Sequence, residues 1–190
     1  AESQSAAVDP AWLAEQSKEL EESIRAAIAF RNAGYGTPIL IDRDTLIAEA
    51  MERLGLSGTD KLEIHNARLS KNNPRYTNHI YARLQRSGAL YRDCQRMVNQ
   101  DRNVFAACMV ALGDADAIVT GLTRSYAVSY KEIHRVLDPK PDAQVFGLSV
   151  VIAPRRTVFL ADTTVHENPT PEILADIAVQ AAESARLWGH

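Results

Sequence analysis

Three loops carry the residue types that could bind a ligand, and the first follows the segment Gly113–Thr120. This segment is apolar after its acidic start and continues through Gly121 into Thr123, Arg124 and Ser125. In open α/β sheets, ligands bind beyond the carboxyl ends of the strands, where hydroxyls, backbone amides and a cation can hold an anion. These three side chains are therefore candidates for binding a phosphate or a carboxylate. The alternative is an ordinary strand-to-helix turn, in which Ser125 caps the next helix and Arg124 is solvated.

The second loop follows the apolar run Val158–Ala161 and reads Asp162-Thr163-Thr164, then Val-His-Glu-Asn-Pro169. A carboxylate and two hydroxyls at the end of a strand are suited to lining a ligand cleft. The alternative is structural, because an aspartate in this place also caps a turn or pairs with an arginine. The residues by themselves leave both interpretations open.

The third loop contains Arg86, which lies between a predicted helix and Gly88. A cation near a helix C-terminus is favoured by the helix dipole, and this gives Arg86 a structural explanation that needs no ligand. A guanidinium is also well suited to binding an anion. Both interpretations stay open on spacing alone.

Several other kinds of chemistry are excluded by the sequence. It contains no GxGxxG, GxxxxGK[ST] or GxSxG motif, which argues against a dinucleotide fingerprint, a P-loop and a hydrolase elbow. The cysteines Cys94 and Cys108 lack CxxC spacing, and the histidines are scattered, so we expect free thiols and no metal site. The net charge of −3 and the shortness of the apolar runs argue against nucleic acid and membranes as partners.

The elements that must position these loops alternate along the chain. Asp9 and Pro10 open a helix that runs to about Phe30, because aspartate caps free amides and proline fits the first turn. Apolar runs predict strands at 38–42, 61–65, 115–121, 143–153 and 157–162. Helical periodicity predicts further helices at 44–55, 75–88, 89–97, 101–112, 126–137 and 170–188.

This alternation predicts an α/β fold with a mostly parallel sheet, to which a hairpin around Pro154 is added. We expect residues 1–36 to form a helical lead-in, 37–142 the α/β core, and 143–190 the hairpin and final helix. An α/β layer rarely stops directly after a helix without a further strand to receive it. The ending Leu187–His190 therefore leads us to expect an incomplete domain.

The chain resembles the phosphotransacetylase family in five segments that follow one another at the family's spacing. The likeness is greatest to the phosphotransacetylase-like C-terminal domain of bacterial multifunctional NADP-dependent malic enzymes. It covers about residues 23–189 and is carried by Pro38–Ile41, Asn72–Tyr76, Gln85–Gly88, Gly113–Gly121 and Ala161–Pro169. The resemblance implies a three-layer α/β/α fold of two lobes, with an acyl-CoA site in the cleft between them.

The resemblance also implies roles for individual residues. In active members of the family an arginine at the position of Arg86 holds the phosphoryl end, and a second arginine aligns with Lys131. Thr163 stands where many active enzymes have a cysteine, and a lysine lacks the planar fork of an arginine. The family's catalytic Ser-Arg pair and aspartate belong to a part of the domain that this sequence does not include. We therefore expect ligand binding without catalysis, at Arg86, Thr123, Arg124, Ser125, Lys131, Asp162 and Thr163.

The function implied by the resemblance is regulatory. Acetyl-CoA would bind this domain and inhibit the decarboxylation of malate to pyruvate in a separate N-terminal domain, which would carry NADP and the divalent metal. The resemblance further implies a homo-oligomer with the malic enzyme catalytic domain in cis. A cytoplasmic location is expected because residues 1–7 lack the pattern of a secretory signal and the apolar runs are too short for a membrane span. Two alternatives are a phosphate acetyltransferase, which transfers acetyl between acetyl phosphate and CoA, and a scaffold for oligomerisation.

Overall fold

The computed structural model describes residues 10–56, 62–121 and 124–190, and it describes side chains from residue 17 onward. The chain divides into two compact units, residues 1–137 and 138–190. Each unit has its own small sheet, a parallel pair of strands in the first and an antiparallel pair in the second. None of the described helices is both long and apolar enough to cross a membrane.

The first unit is built mainly from helices, most of which lie within a few residues of the bounds that periodicity predicts. Strands β1 (Ile39–Ile41) and β2 (Glu63–His65) run parallel, with Ile39 opposite Glu63 and Ile41 opposite His65. A short 3₁₀ turn, Gln85–Ser87, follows the third helix. The elements in order are α1 (Pro10–Asn32), β1 (Ile39–Ile41), α2 (Asp44–Arg53), β2 (Glu63–His65), α3 (Asn73–Leu84), α4 (Tyr91–Gln100), α5 (Arg102–Ala111) and α6 (Tyr126–His134).

Two apolar clusters stabilise this unit. The smaller one buries Ile24 of α1 against Ile47 and Ala50 of α2, which are three residues apart and therefore share a helix face. The larger cluster is centred on Tyr76 of α3 and Phe105 of α5, both fully buried. Their rings meet edge to face with centroids 5.1 Å apart, an arrangement that aromatic pairs favour. The larger cluster thus joins α3 and α5, the helices that flank the candidate loops.

Polar contacts to Asp114 fix the chain where it leaves α5. Arg75 donates from Nη1 to both carboxylate oxygens, at 2.9 and 2.7 Å, and from Nη2 to the carbonyl of Leu112 at 2.7 Å. The Tyr76 hydroxyl donates to Asp114 Oδ2 at 2.7 Å. Hydrogen bonds from Arg75 and Tyr76 lower the pKa of Asp114, so its carboxylate stays charged and keeps all of these donors. The start of the 113–121 segment is therefore held against α3.

The prediction of a strand at 115–121 is wrong for this structure. Residues 115–121 adopt no regular strand, and Val119 lies almost fully in solvent. A strand requires a neighbour that takes up its backbone hydrogen bonds, and among the described residues no segment pairs with this one. Apolar composition alone cannot supply that neighbour. The segment nevertheless contacts α5, because the Thr120 hydroxyl donates to Asn103 Oδ1 at 2.6 Å.

The second unit consists of a hairpin and a helix, as predicted. Strands β3 (Ser149–Ala153) and β4 (Arg156–Leu160) are antiparallel, with Ala153 opposite Arg156 across the turn. The hairpin begins at 149 rather than at 143, because β4 has residues opposite only 149–153. Helix α7 (Pro171–Leu187) begins after Thr170, whose hydroxyl accepts a hydrogen bond from the Ile173 amide at 3.4 Å.

Candidate functional site

Two carboxylates hold Arg124, which lies just before α6. Its Nη1 donates to Asp101 Oδ2 at 2.7 Å and makes an even shorter contact with Glu132 Oε1. The three side chains are 30%, 19% and 11% exposed, so water screens their charges only in part. Two carboxyl groups thus surround one guanidinium. Arg124 is therefore not simply solvated, as the structural alternative assumes. Because its guanidinium is already paired with two carboxyl groups, it is also poorly suited to binding an anionic ligand.

The same cluster extends into the interior of the unit. Glu132 accepts through Oε2 from Asn103 Nδ2 at 2.8 Å, and Asn103 accepts through Oδ1 from the Thr120 hydroxyl at 2.6 Å. Asp101 accepts through Oδ1 from the backbone amides of Asn103 and Val104, at 2.9 and 3.1 Å. These last two bonds cap α5. We call Arg124, Asp101, Glu132, Asn103 and Thr120 the Arg124 cluster.

Electrostatics keep Asp101 and Arg124 ionised. Burial by itself would raise the pKa of Asp101, but hydrogen bonds from Arg124 and from the Val104 amide outweigh it, and the pKa falls below its ordinary value. Burial would lower the pKa of Arg124, and the two carboxylates reverse this and raise it. Neither group exchanges a proton near neutral pH, so the cluster is a structural clamp. It joins the start of α5, the end of the 113–121 segment and the buried side of α6.

The other candidates of the first unit lie on its surface. Arg86 is exposed in the 3₁₀ turn, and Lys131 is exposed on α6; neither forms an ion pair with the part of the chain that the structure describes. Ser125 is exposed at the start of α6, and its side chain makes no capping hydrogen bond, contrary to the structural alternative. Thr123 lies outside the described residues. Two cations of the predicted set, Arg86 and Lys131, are thus exposed without an ion-pair partner among the described residues, whereas Arg124 is paired.

The elements that carry Arg86 and Lys131 are tied together at one end. Arg83 donates from Nε to the carbonyl of Arg135 at 3.2 Å, and this bond joins the end of α3 to the end of α6. Arg86 follows Arg83 by three residues, and Lys131 precedes Arg135 by about one helical turn. The two exposed cations therefore project from neighbouring elements of the same unit.

In the second unit, Asp162 organises its own loop. Its side chain is only 2% exposed and accepts from four backbone amides, those of Gly147, Thr164, Val165 and His166, at 2.8 to 3.1 Å. The ring of His166 adds a fifth contact, from Nδ1 to Oδ2 at 2.7 Å. Burial opposes ionisation, but these donors hold the pKa of Asp162 far below its ordinary range. The residue thus has a structural task, and its bound oxygens leave little capacity to accept a proton.

Thr163 is the exposed member of this loop. Its amide donates to the carbonyl of Gly147 at 3.1 Å, and its hydroxyl lies 3.3 Å from that of Ser149. Gly147 is required here, because a Cβ at this position would lie 2.2 Å from Thr164 Oγ1 and 2.7 Å from Thr163 Oγ1. The backbone before β3, at Gly147, thus lies close to the loop after β4, and the exposed Thr163 is bonded to it through its amide.

Comparison with known families then shows where the chain belongs. The family described as Phosphate acetyl/butaryl transferase matches residues 13–190, which is most of the sequence. The chain is a member of this family. Two solved phosphotransacetylases share its fold: one from Streptococcus pyogenes with a TM-score of 0.80 and 24% identity, and EutD from Staphylococcus aureus with 0.77 and 23%. The match covers 90% of this chain and 52% of each structure, and it confirms the predicted α/β fold.

Several curated relatives of this transferase-family chain are malic enzymes. The chain is 49% identical over 171 residues to the NADP-dependent malic enzyme of Rhizobium meliloti and 43% identical over 175 residues to a probable one of Rickettsia prowazekii. It spans 22% of the length of either relative. A phosphate acetyltransferase of Nitratidesulfovibrio vulgaris is 26% identical over 170 residues. The predicted resemblance to both groups is therefore confirmed.

Sequence reasoning missed four polar residues of this transferase-family domain: Asp101, Asn103, Glu132 and His166. The sequence contained a signal for Glu132, because Glu132 shares a helical face with the apolar Val136, four residues later. In the structure both residues are buried, together with Ser129. A carboxylate on the buried side of a helix requires a partner, and a nearby arginine was the obvious one. The His166 contact also had a signal, since a histidine follows Asp162 by four residues within a short loop. Spacing could not show which of these pairs would form.

Proposed function

We propose that this domain is the acetyl-CoA-sensing regulatory domain of an NADP-dependent malic enzyme. The observation that carries the proposal is the 49% identity to such an enzyme, against 26% to the phosphate acetyltransferase of Nitratidesulfovibrio vulgaris. In this proposal the oxidative decarboxylation of malate to pyruvate takes place in a separate N-terminal domain of the same chain, which holds NADP and a divalent metal. The intact protein is a cytoplasmic homo-oligomer, and acetyl-CoA binding favours its less active state.

The ligand's charge supports roles for Arg86 and Lys131. Acetyl-CoA carries several phosphate charges, and cations that are exposed and unopposed by carboxylates are best able to meet them. Both residues satisfy this condition among the described residues, whereas Arg124 is already paired with Asp101 and Glu132. Arg124 then acts through structure, because its bonds to α5 and α6 hold the helix that carries Lys131. Ligand contacts by Thr123, Ser125, Asp162 and Thr163 stay predictions.

The local chemistry favours binding over turnover. Transfer of an acetyl group from acetyl phosphate to CoA needs a base that takes the proton of the CoA thiol. Among the described side chains, the Thr163 hydroxyl has only the Ser149 hydroxyl within hydrogen-bond distance, so this loop position supplies no such base. The carboxylate of Asp162 is bound to four amides and a histidine, so it is a poor proton acceptor. We therefore propose that acetyl-CoA is sensed and released unchanged.

Inhibition measurements on the intact malic enzyme test the proposal. NADPH formation from malate is followed with and without acetyl-CoA, in the wild type, in Arg86→Ala and in the control Arg92→Ala, an exposed arginine on α4. We expect acetyl-CoA to inhibit the wild type and the control, and Arg86→Ala to lose at least tenfold in sensitivity, because a charge-assisted contact contributes about 1.5 kcal/mol or more. Unchanged sensitivity to acetyl-CoA in Arg86→Ala would show that Arg86 does not contact the ligand.

The alternative, a phosphate acetyltransferase, is supported by membership of the family and by relatives that carry this name. It predicts that the intact protein forms acetyl-CoA and phosphate from acetyl phosphate and CoA. An assay for thioester formation separates the two functions directly. Turnover above the uncatalysed rate, abolished by Arg86→Ala, would replace the regulatory proposal with the enzymatic one.

A further inference from the structure

Strand β3 has one edge that no described segment covers. Its residues, Ser149–Ala153, pair only with β4. In an antiparallel pair, the amide and carbonyl groups of alternate residues point away from the partner strand. Among the described residues, no backbone group outside β4 forms a hydrogen bond with the backbone of β3. The outer edge of β3 therefore offers unpaired donors and acceptors to another strand.

The side chains of β3 are apolar and exposed. Val150, Val151 and Ile152 are 38%, 47% and 83% exposed. Successive strand residues point to opposite faces, so β3 exposes apolar side chains on both faces of the hairpin. Phe159 of β4 is by contrast partly buried, and its ring packs against Trp188 with centroids 5.9 Å apart. The uncovered surface thus belongs mainly to β3.

Strand β3 lacks the features that protect a free edge. Soluble proteins block such edges with charged side chains, proline or a bulge, because an unprotected apolar edge pairs with other chains. The sequence Ser-Val-Val-Ile-Ala contains no charged residue and no proline, and its register with β4 runs through all five residues without a bulge. A hairpin of two strands is only marginally stable, and further strands stabilise it. We therefore expect the partner of this edge to be another strand.

The sequence of β3 favours a second copy of itself as that strand. A two-fold axis at Val151 aligns two β3 strands antiparallel, with Val151 opposite Val151 and Val150 opposite Ile152. The pairs then contain only apolar and small side chains, and apolar pairs across strands stabilise a sheet. Arg155, in the turn, lies four residues from the axis, so the two copies of this cation are about 27 Å apart. Charge repulsion therefore does not oppose the contact.

The direction of the chain argues against a strand from the same subunit. Helix α7 follows β4, and its end packs on β4 through the contact between Trp188 and Phe159. A strand that follows such a helix forms a right-handed crossover and commonly lies next to the strand before the helix, which here is β4. The outer edge of β3 stays open in that arrangement. A symmetric pair covers both β3 edges at once, so association closes at two copies and does not continue into a fibre.

We propose that β3 pairs antiparallel with β3 of a second copy across a two-fold axis. The hairpins of two subunits then form one four-stranded sheet in the order β4-β3-β3-β4. This inference rests on the homo-oligomer of the proposed function and assigns its contact to one strand. It does not depend on the binding of acetyl-CoA.

Disulfide crosslinking of the full-length protein tests the pairing directly. In Val151→Cys, the two introduced thiols belong to residues that lie opposite each other, with Cα atoms about 4.5 to 5.5 Å apart, which suits a disulfide. Mild oxidation should therefore link the subunits into covalent dimers on a non-reducing gel. The native Cys94 and Cys108 do not interfere, because both are buried. Val179→Cys, at an exposed position of α7, is the matched control and should stay monomeric on the gel.

Light scattering on the full-length protein examines the same contact without a new covalent bond. Val151→Lys places two like charges directly opposite each other, which destabilises a strand pair. The molar mass of the particle should fall to half the wild-type value, because each symmetric contact joins two subunits. Val151→Thr keeps the β-branched shape and should retain the wild-type mass. Val179→Lys introduces the same charge on α7 and should also retain it.

The outcomes separate this contact from the sensing function. Absence of the crosslink in Val151→Cys, or an unchanged mass in Val151→Lys, would refute the pairing. Loss of stability in Val151→Lys at unchanged mass would show that β3 is covered by its own chain, and this also refutes the pairing. A monomeric wild type would overturn both the contact and the proposed homo-oligomer. If the crosslink forms while acetyl-CoA does not inhibit the enzyme, the contact stands and the sensing function fails.

Discussion

Replacing Arg124 with alanine should destabilise the first unit more than any single change of its carboxylate partners. The substitution removes the guanidinium that bridges Asp101 and Glu132 and leaves two partly buried carboxylates without a cation. Replacing Glu132 with glutamine is the matched comparison. It keeps the size of the side chain, the oxygen that accepts from Asn103 and the Arg124 contact with Asp101.

The expected magnitude follows from exposure and geometry. Removal of one partner of a fully buried ion pair costs about 3 to 5 kcal/mol. The three side chains are 30%, 19% and 11% exposed, so solvent screens part of the remaining charge. We therefore expect Arg124→Ala to lower the free energy of unfolding by about 2 to 3 kcal/mol. We expect Glu132→Gln to lower it by about 1 kcal/mol, because the amide nitrogen that then faces Arg124 cannot accept its hydrogen bond, while Arg124 keeps its contact with Asp101.

The effect should depend on pH in a defined direction. The pKa of Asp101 is lowered in the folded state, so its stabilising contribution is complete above its unfolded value, near 4, and is lost as the pH falls through the folded value. Arg124→Ala removes the main cause of that lowering. The difference in stability between wild type and variant should therefore be largest near pH 7 and shrink below about pH 4.

Urea unfolding at about pH 7 and about pH 3, followed by far-UV circular dichroism, measures these quantities. Arg92→Ala serves as the control, because this exposed arginine should change stability by less than about 0.5 kcal/mol. A loss below 0.5 kcal/mol in Arg124→Ala, or an equal loss in Glu132→Gln, would refute the interpretation of Arg124 as the centre of the cluster.

Three further predictions concern other parts of the chain. Gly147→Ala should destabilise the hairpin unit by about 1 to 3 kcal/mol in chemical denaturation, with partial recovery when Thr164→Ala is added, because the new Cβ would lie 2.2 Å from Thr164 Oγ1. Asp162→Asn should speed amide exchange in its loop and flatten the acid limb of the stability profile, since the lowered pKa of Asp162 contributes stability that is complete above about pH 4 and is lost progressively as the pH falls below it. Cys94 and Cys108 should resist a thiol reagent at pH 8 until the protein unfolds, because both are fully buried and burial raises the pKa of Cys108 to about 12.

Each of these has an outcome that would contradict it. Wild-type stability in Gly147→Ala would mean that the threonines move aside freely. Native-like exchange in Asp162→Asn would show that the loop does not depend on the charge of its carboxylate. Rapid labelling of the folded protein would show that the helices around the thiols open readily.

The elements with local signals were predictable from the sequence. The opening Asp9-Pro10 and the pair Thr170-Pro171 both mark helix starts, and α1 and α7 begin there. Pro154 between two apolar runs marks the hairpin. The segment 115–121 shows the limit of such signals, because a strand exists only when another segment accepts its hydrogen bonds.

The sequence predicted which loops carry the candidate residues, but it did not predict which side chains contact one another. Exposure of Arg86 and Lys131 agrees with a ligand-binding role, and such exposure is common for cations near helix ends. The pairing of Arg124 with Asp101 and Glu132 required α5 and α6 to lie side by side. The amino-acid sequence alone does not show which side chains of two separate helices contact each other.

By itself, the sequence determined the helices, the hairpin and the family, because caps, turn residues and motif spacing act over a few neighbouring positions. Which charged side chains are paired within the fold could be seen only in the tertiary structure. It pairs Arg124 with two carboxyl groups, binds the Asp162 carboxylate to its own loop, and leaves Arg86 and Lys131 exposed. The physical reason is that an ion pair or a buried carboxylate depends on distance and dielectric surroundings, and both are set by packing between distant parts of the chain.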